Sequence, residues 1–176
     1  DHDRLFKELL SAFFVEFLEL FFPELVKEMD RDSVEFLDKE VFTDVTEGER
    51  HEADLVAKAS FRGTPSFFLI HVETQAQPQA HFARRMFCYF ARLHEKYALP
   101  IYPVALFSYD KPDRTEAGEY RVDFPDFEVL AFRFRVVQLN QLDWHQYVGR
   151  RNPIAAALMA KMRLEPSQRM QLREAC

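Results

Sequence analysis

Two carboxylates carry the chemical interest of this chain. Asp54 falls in an alternating stretch, His51 to Phe61, with Ala53, Leu55, Ala57 and Ala59 on one side and Asp54, Val56 and Lys58 on the other. Glu73 falls near the end of the next extended stretch, Ser66 to Gln75, and shares a strand face with His71 and Gln75 because side chains alternate with period two. Arg62-Gly63-Thr64-Pro65 between them reads as a hairpin-type loop, so the two strands are expected to be neighbours. A carboxylate in an apolar strand is costly to bury unless it is paired or holds a cation. Two on adjacent strands make an oxygen site suited to Mg²⁺, which takes one or two carboxylates together with water and substrate phosphate. The plainer account is a structural ion pair with Lys58, and at this point both stand. His71 is expected to be a hydrogen-bonded core histidine within reach of Glu73. His51-Glu52 and His94-Glu95 open like a metalloprotease helix, but Leu55 and Ala98 stand where the second His is required.

Composition removes other chemistries. The chain has 176 residues and only four glycines, at 48, 63, 118 and 149. A dinucleotide fingerprint or a P-loop needs glycines clustered in one short loop, and no such cluster exists. Nineteen phenylalanines and 15% aromatic content argue for a packed core and against disorder. Two cysteines, Cys88 and Cys176, build neither a disulfide scaffold nor a four-thiolate zinc site, so a reducing cytoplasm is the expected location. Leu9 to Phe22 is strongly apolar but interrupted by Glu16 and Glu19, short of the roughly 20 uncharged residues of a membrane span. No signal-peptide pattern opens the chain. It begins at Asp1 without Met, as a piece of a longer protein would. The net charge of −6 is unevenly shared: the first 56 residues are acidic and the remainder basic. That suits a metal site facing a phosphate-binding surface, and equally suits ordinary surface charge.

Elements must hold the acids in place. Asp3 to Phe22 has a helical stripe of Phe6, Leu9, Leu10, Phe13, Phe14, Phe17 and Phe21, expected to pack in the core. Pro23 to Lys27-Glu28 reads as a short second helix. Ser33 to Phe42 reads as extended, with a turn at Glu47-Gly48-Glu49. Phe67-Phe68-Leu69-Ile70 predicts a strand buried on both faces. Gln79 to Tyr97 predicts a helix with a stripe of Phe82, Arg85, Met86, Tyr89, Phe90 and Leu93, ended by Pro100. Arg85 and Tyr89, at i and i+4, share a helix face. Ile101 to Tyr109 reads as a core strand, and Tyr120 to Phe124 and Phe127 to Leu139 as further strands. The residues from Gln141 on read as helical, broken at Pro153 and Pro166. A strand–helix–strand crossover makes part of the sheet parallel.

Several of these segments resemble one known family. "EADLVAK" (Glu52 to Lys58), "HVETQ" (His71 to Gln75), "RRMFCY" (Arg84 to Tyr89) and "LPIYPVALF" (Leu99 to Phe107) are similar to the bacterial recombination-promoting nuclease and putative-transposase family, within the PD-(D/E)XK nuclease superfamily. "DRLFKELL" (Asp3 to Leu10) and "SVEFLDKEVFTD" (Ser33 to Asp44) add to it, so the resemblance spans about residues 1–140. It implies an α/β fold: a mixed central sheet flanked by helices, with a restriction-endonuclease-like αβββαβ core. Residues 1–140 would form this nuclease-like domain, and 141–176 a helical extension of it.

The resemblance also implies a metal-dependent DNA endonuclease tied to recombination or mobile elements in the bacterial cytoplasm, with no membrane contact. Asp54, Glu73 and the Thr74 carbonyl would hold Mg²⁺, with Mn²⁺ as a substitute. Gln75 stands where the superfamily usually has Lys. An amide orients water but brings no charge, and Lys58 is the expected compensation. Arg85 and Tyr89 match a pair that contacts phosphate or braces the site. Glu8 and Asp3 are candidates for the first-helix acid of some relatives, and Arg133 and Arg135 for a DNA path. Many relatives are dimers, so a homodimer is a further expectation. The competing implication is a catalytically degenerate module of the same fold that binds DNA or protein.

Overall fold

The computed structural model describes residues 2–38, 41–43, 50–52 and 54–163. The expected Gly48 turn, Pro166 and Cys176 lie outside them.

The first helical stretch is divided. α1 (His2–Ala12) and α2 (Phe14–Phe21) meet at Phe13, whose ψ of 41° leaves the helical region while its N–H still reaches the Leu9 carbonyl at 3.0 Å. α3 (Pro23–Glu28) begins at a proline, which lacks only an N–H that a first turn leaves unpaired. A 3₁₀ turn at Arg31–Ser33 leads to β1 (Glu35–Phe36), and β2 (Val41–Thr43) pairs antiparallel with β3 (Arg50–Glu52) as a separate ribbon. The strand expected over His51–Phe61 is therefore interrupted. β4 (Leu55–Ser60) joins the main sheet, and Asp54 occupies the bend before it rather than the middle of a strand.

β5 (Phe67–Gln75) pairs antiparallel with β4, from Leu55 opposite Val72 to Ser60 opposite Phe67. The connecting turn closes with the Phe61 N–H on the Ser66 carbonyl at 3.0 Å, and Gly63 takes φ +74°, which suits a residue without Cβ. α4 (Phe82–Tyr97) then crosses to β6 (Ile101–Phe107), parallel to β5, and β9 (Arg135–Gln138) is parallel to β6. The sheet order is β1-β4-β5-β6-β9, a mixed five-stranded sheet. α4 ends at Tyr97, ahead of Pro100, with Ala98 in the left-handed position that glycine often fills. The long strand expected over Phe127–Leu139 is broken at Phe134. Its first part, β8 (Glu128–Arg133), forms a hairpin with β7 (Glu119–Asp123), and its second part is β9. Pro153 starts α5 (Pro153–Met159) instead of breaking a helix, with Asn152 accepting the Ile154 N–H at 3.1 Å. Between them the chain makes 3₁₀ turns at Leu139–Gln141 and Trp144–Gln146.

Both sheet faces are covered. On one face α1, α2, α3 and α5 pack on Ala57, Ala59, Phe68, Ile70, Val72, Val104 and Leu106, with Trp144 and Tyr147 in the same cluster. On the other, α4 buries Phe82, Met86, Tyr89 and Leu93 against Val56, Leu69, Ala105 and Phe107. β5 runs between these layers and is buried from Phe68 to Gln75, as its unbroken apolar run predicts. Burying each such large side chain contributes about 1.5–3 kcal/mol. The stiff central strand is what fixes Glu73.

Candidate active site

The β4–β5 ladder ends where β4 begins, and the two acids replace it there. Leu55 opposes Val72, so the Thr74 N–H lies just past the last β4 pair. Asp54 Oδ2 accepts that N–H at 2.7 Å and the Thr74 hydroxyl at 2.6 Å. In return the Asp54 N–H donates to Glu73 Oε2 at 3.2 Å. Asp54 and Glu73, 19 residues apart in sequence, thus meet as the loop signal predicts.

Their side chains take different company. Ile70 and Val72 belong to the core beneath α1 and α2, whereas Leu69 belongs to the core beneath α4. Alternation therefore puts Thr74 on the first side and His71, Glu73 and Gln75 on the second. The bend frees Asp54 from strand alternation, and its carboxylate turns to the Thr74 hydroxyl rather than following Val56 and Lys58. There it meets a residue the sequence reading does not include. Lys7 of α1 places Nζ 2.6 Å from Asp54 Oδ1. Lys7 flanks the apolar stripe of α1, which marks it as a cation at the edge of the core, but helical periodicity does not say which strand it reaches. Glu8, a candidate first-helix acid, is instead paired with Arg4 at 2.8 Å on the exposed side, and the Asp3 side chain lies outside the described residues.

Glu73 is 4% exposed. Its Oε2 lies 3.2 Å from His71 Nε2, which donates when Glu73 is ionised; His71 is fully buried and its Nδ1 has no hydrogen-bond partner among the described residues. Burial pushes the Glu73 carboxyl above its ordinary range, the hydrogen bond from His71 opposes this, and the negative charge of Asp54 adds to the rise. Tyr89 stands over this pair from α4, its ring edge-on to His71 with centroids 5.6 Å apart. Burial, then the charge of Glu73, raises its phenol well above the ordinary value, so the hydroxyl stays protonated. Arg85, one turn earlier, acts electrostatically on Tyr89 in the opposite sense; its guanidinium lies 5.2 Å from the Phe82 ring centre and bonds Gln79.

Two expected helpers sit elsewhere. The Gln75 amide donates to the Thr74 carbonyl at 2.8 Å, so it faces the oxygen expected to bind metal rather than a water. Lys58 lies four residues along β4, about 13 Å at the strand rise of roughly 3.3 Å per residue, with Nζ 4.3 Å from the Phe67 ring centre. Arg133 and Arg135 are exposed, and Arg135 lies over Phe22 at 5.2 Å.

Asp54 and Glu73 provide hard oxygen donors of the kind Mg²⁺ prefers. Asp54 already holds a cation, the Lys7 ammonium, and Glu73 is a buried carboxylate whose ionised form a cation would favour. The donor chemistry fits a divalent ion, but the two carboxylates lean to different sides of the sheet, Asp54 to Thr74 and Lys7 and Glu73 to His71, so a shared ion requires one of them to turn. The present arrangement serves the metal-free chain: among the described residues no group of three or more His, Cys, Asp or Glu is gathered to hold one. A mostly apolar cleft of about 380 Å³ between α1, α5 and the carboxyl ends of β5 and β6 is lined by Leu5, Tyr109, Lys161 and others, but by neither acid. Among the described residues no helix is long and apolar enough to cross a membrane. No protein-family model, no curated protein and no solved structure matches the chain.

Proposed function

We propose that the chain is a metal-dependent DNA endonuclease of the PD-(D/E)XK type, related to the recombination-promoting nucleases. The observation that carries this is the meeting of Asp54 and Glu73 at one ladder end, joined by the Asp54 N–H on Glu73 Oε2. The mixed sheet supports it: antiparallel β1, β4 and β5 followed by crossover helix α4 and parallel β6 are compatible with the αβββαβ order that the resemblance implies, with α2, α3 and the β2–β3 ribbon as additions to it.

Asp54, Glu73 and the Thr74 carbonyl would hold Mg²⁺ or Mn²⁺, which supplies Lewis-acid stabilisation of phosphate charge and a more acidic water. The protein's own groups do the rest. Water adds to phosphorus, one P–O bond of the DNA backbone breaks, and the leaving oxygen takes up a proton. Arg85 supplies positive charge to the backbone. Tyr89, held neutral, braces His71, and His71 orients Glu73.

A second reading has its own observation. Lys7 and Thr74 together satisfy Asp54 without a metal, as a non-catalytic scaffold of the same fold would need. Mn²⁺ titration of the chain and of Asp54→Asn separates the two. The nuclease reading requires binding that Asp54→Asn abolishes. Binding that is absent, or indifferent to Asp54, leaves the scaffold.

A further inference from the structure

The Lys7–Asp54 pair carries more than a structural role. Asp54 has two oxygens and they are used differently. Oδ2 is filled by the Thr74 N–H and hydroxyl, at 2.7 and 2.6 Å. Oδ1 is held by the Lys7 ammonium at 2.6 Å. A cation approaching Asp54 therefore finds its coordination position taken by another cation. The two ends of the pair differ in burial: the Lys7 side chain is 34% exposed and that of Asp54 only 8%. The lysine stem is flexible and can swing out, while the carboxylate is fixed by Thr74. Neither Gln75, turned onto the Thr74 carbonyl, nor Lys58, lying over Phe67, brings positive charge to the acids.

We propose that Lys7 is a tethered, displaceable counter-ion of Asp54: a divalent cation takes its place on Oδ1, and the released ammonium pairs with the phosphate of the nucleic-acid substrate. The inference rests on the nuclease reading above and names the residue that supplies the positive charge Gln75 lacks. Lys7 acts as a charge, first neutralising Asp54 and then phosphate, and α1 fixes the radius within which it can do both.

The test uses the whole chain with Lys7→Gln and Lys7→Arg. Mn²⁺ affinity is measured without DNA, from the electron paramagnetic resonance signal of free Mn²⁺. Lys7→Gln removes the competitor and should tighten Mn²⁺ binding about fivefold, the equivalent of about 1 kcal/mol for a partly exposed ion pair. Lys7→Arg keeps the charge and should stay within about twofold of the parent. Binding of a short DNA duplex in Ca²⁺ should weaken in Lys7→Gln, with the slope of log affinity against log salt reduced by about 1. Thermal melting of both variants establishes that they fold. Tighter Mn²⁺ binding with weaker DNA binding is the opposite-signed pair that a purely structural lysine does not produce. If the parent binds Mn²⁺ through Asp54 while Lys7→Gln leaves that affinity unchanged or lower, this inference falls and the nuclease reading survives. If neither parent nor Lys7→Gln binds Mn²⁺, both fall.

Discussion

Replacing Glu73 by Gln should make the metal-free protein more stable, and the gain should grow with pH. Glu73 is 4% exposed, and burial raises its carboxyl above the ordinary value of 4.5 against the opposing hydrogen bond from His71. A folded-state pKa above the unfolded one contributes stability that is fully present below the unfolded value and lost as pH rises through the folded value. Above that window the parent holds a charge in a site that disfavours it. Glu73→Gln is neutral at every pH, and its carbonyl oxygen can take the Oε2 position, accepting both the Asp54 N–H and the His71 Nε2–H. The advantage should reach about 1–2 kcal/mol, typical of relieving a functional site. At about 2–4 °C per kcal/mol for a chain of this size, that is a rise in Tm of about 2–8 °C. The assay is a set of melts, parent beside variant, from about pH 5 to about pH 8 in EDTA, repeated with Mn²⁺. The gap should widen with pH in EDTA. With Mn²⁺ at about 100 times its Kd it should shrink or reverse, since a ligand at that level stabilises only the chain that binds it, by about 2.7 kcal/mol. A variant that melts no higher than the parent at the upper end in EDTA, or a gap that ignores pH, refutes the reasoning.

Thr74→Val keeps the shape of the strand but removes the hydroxyl that Asp54 Oδ2 accepts at 2.6 Å. It should cost about 1.5–3 kcal/mol, seen as a lower urea midpoint at unchanged m-value. Arg85→Ala should weaken duplex binding in Ca²⁺ and lower the salt slope by about 1; an unchanged slope removes Arg85 from the phosphate path.

The path of the chain is easier to read in the sequence than the placement of its charges. Gly63 and the residues around it announce the β4–β5 turn, the run from Phe68 to Ile70 announces a doubly buried strand, and the stripe of Phe82, Met86, Tyr89 and Leu93 announces α4. Each is a local period set by burial. The breaks are less visible. Phe13 interrupts a continuous apolar stripe without a proline or glycine, and both pieces pack on the same face. Phe134 divides two strands within an alternating run, because β8 pairs with β7 while β9 joins the main sheet. At the site, the proximity of Asp54 and Glu73 follows from one short loop. The orientation of Asp54 does not, because a bend releases it from alternation. Lys7 is illegible for a further reason: it reaches Asp54 from α1, and only tertiary packing brings the two together. Lys58, chosen because it shares the period of Asp54, lies over Phe67 instead.

If Asp54 and Glu73 together cleave the DNA backbone with a divalent cation, the chain nicks supercoiled plasmid. Relaxed plasmid should form with Mn²⁺ or Mg²⁺, but not with EDTA and not from the folded Asp54→Ala, Glu73→Ala double variant. Nicking that persists in that variant at the parent's rate, or a parent that binds plasmid but leaves it intact at every metal concentration, contradicts that role of the two acids.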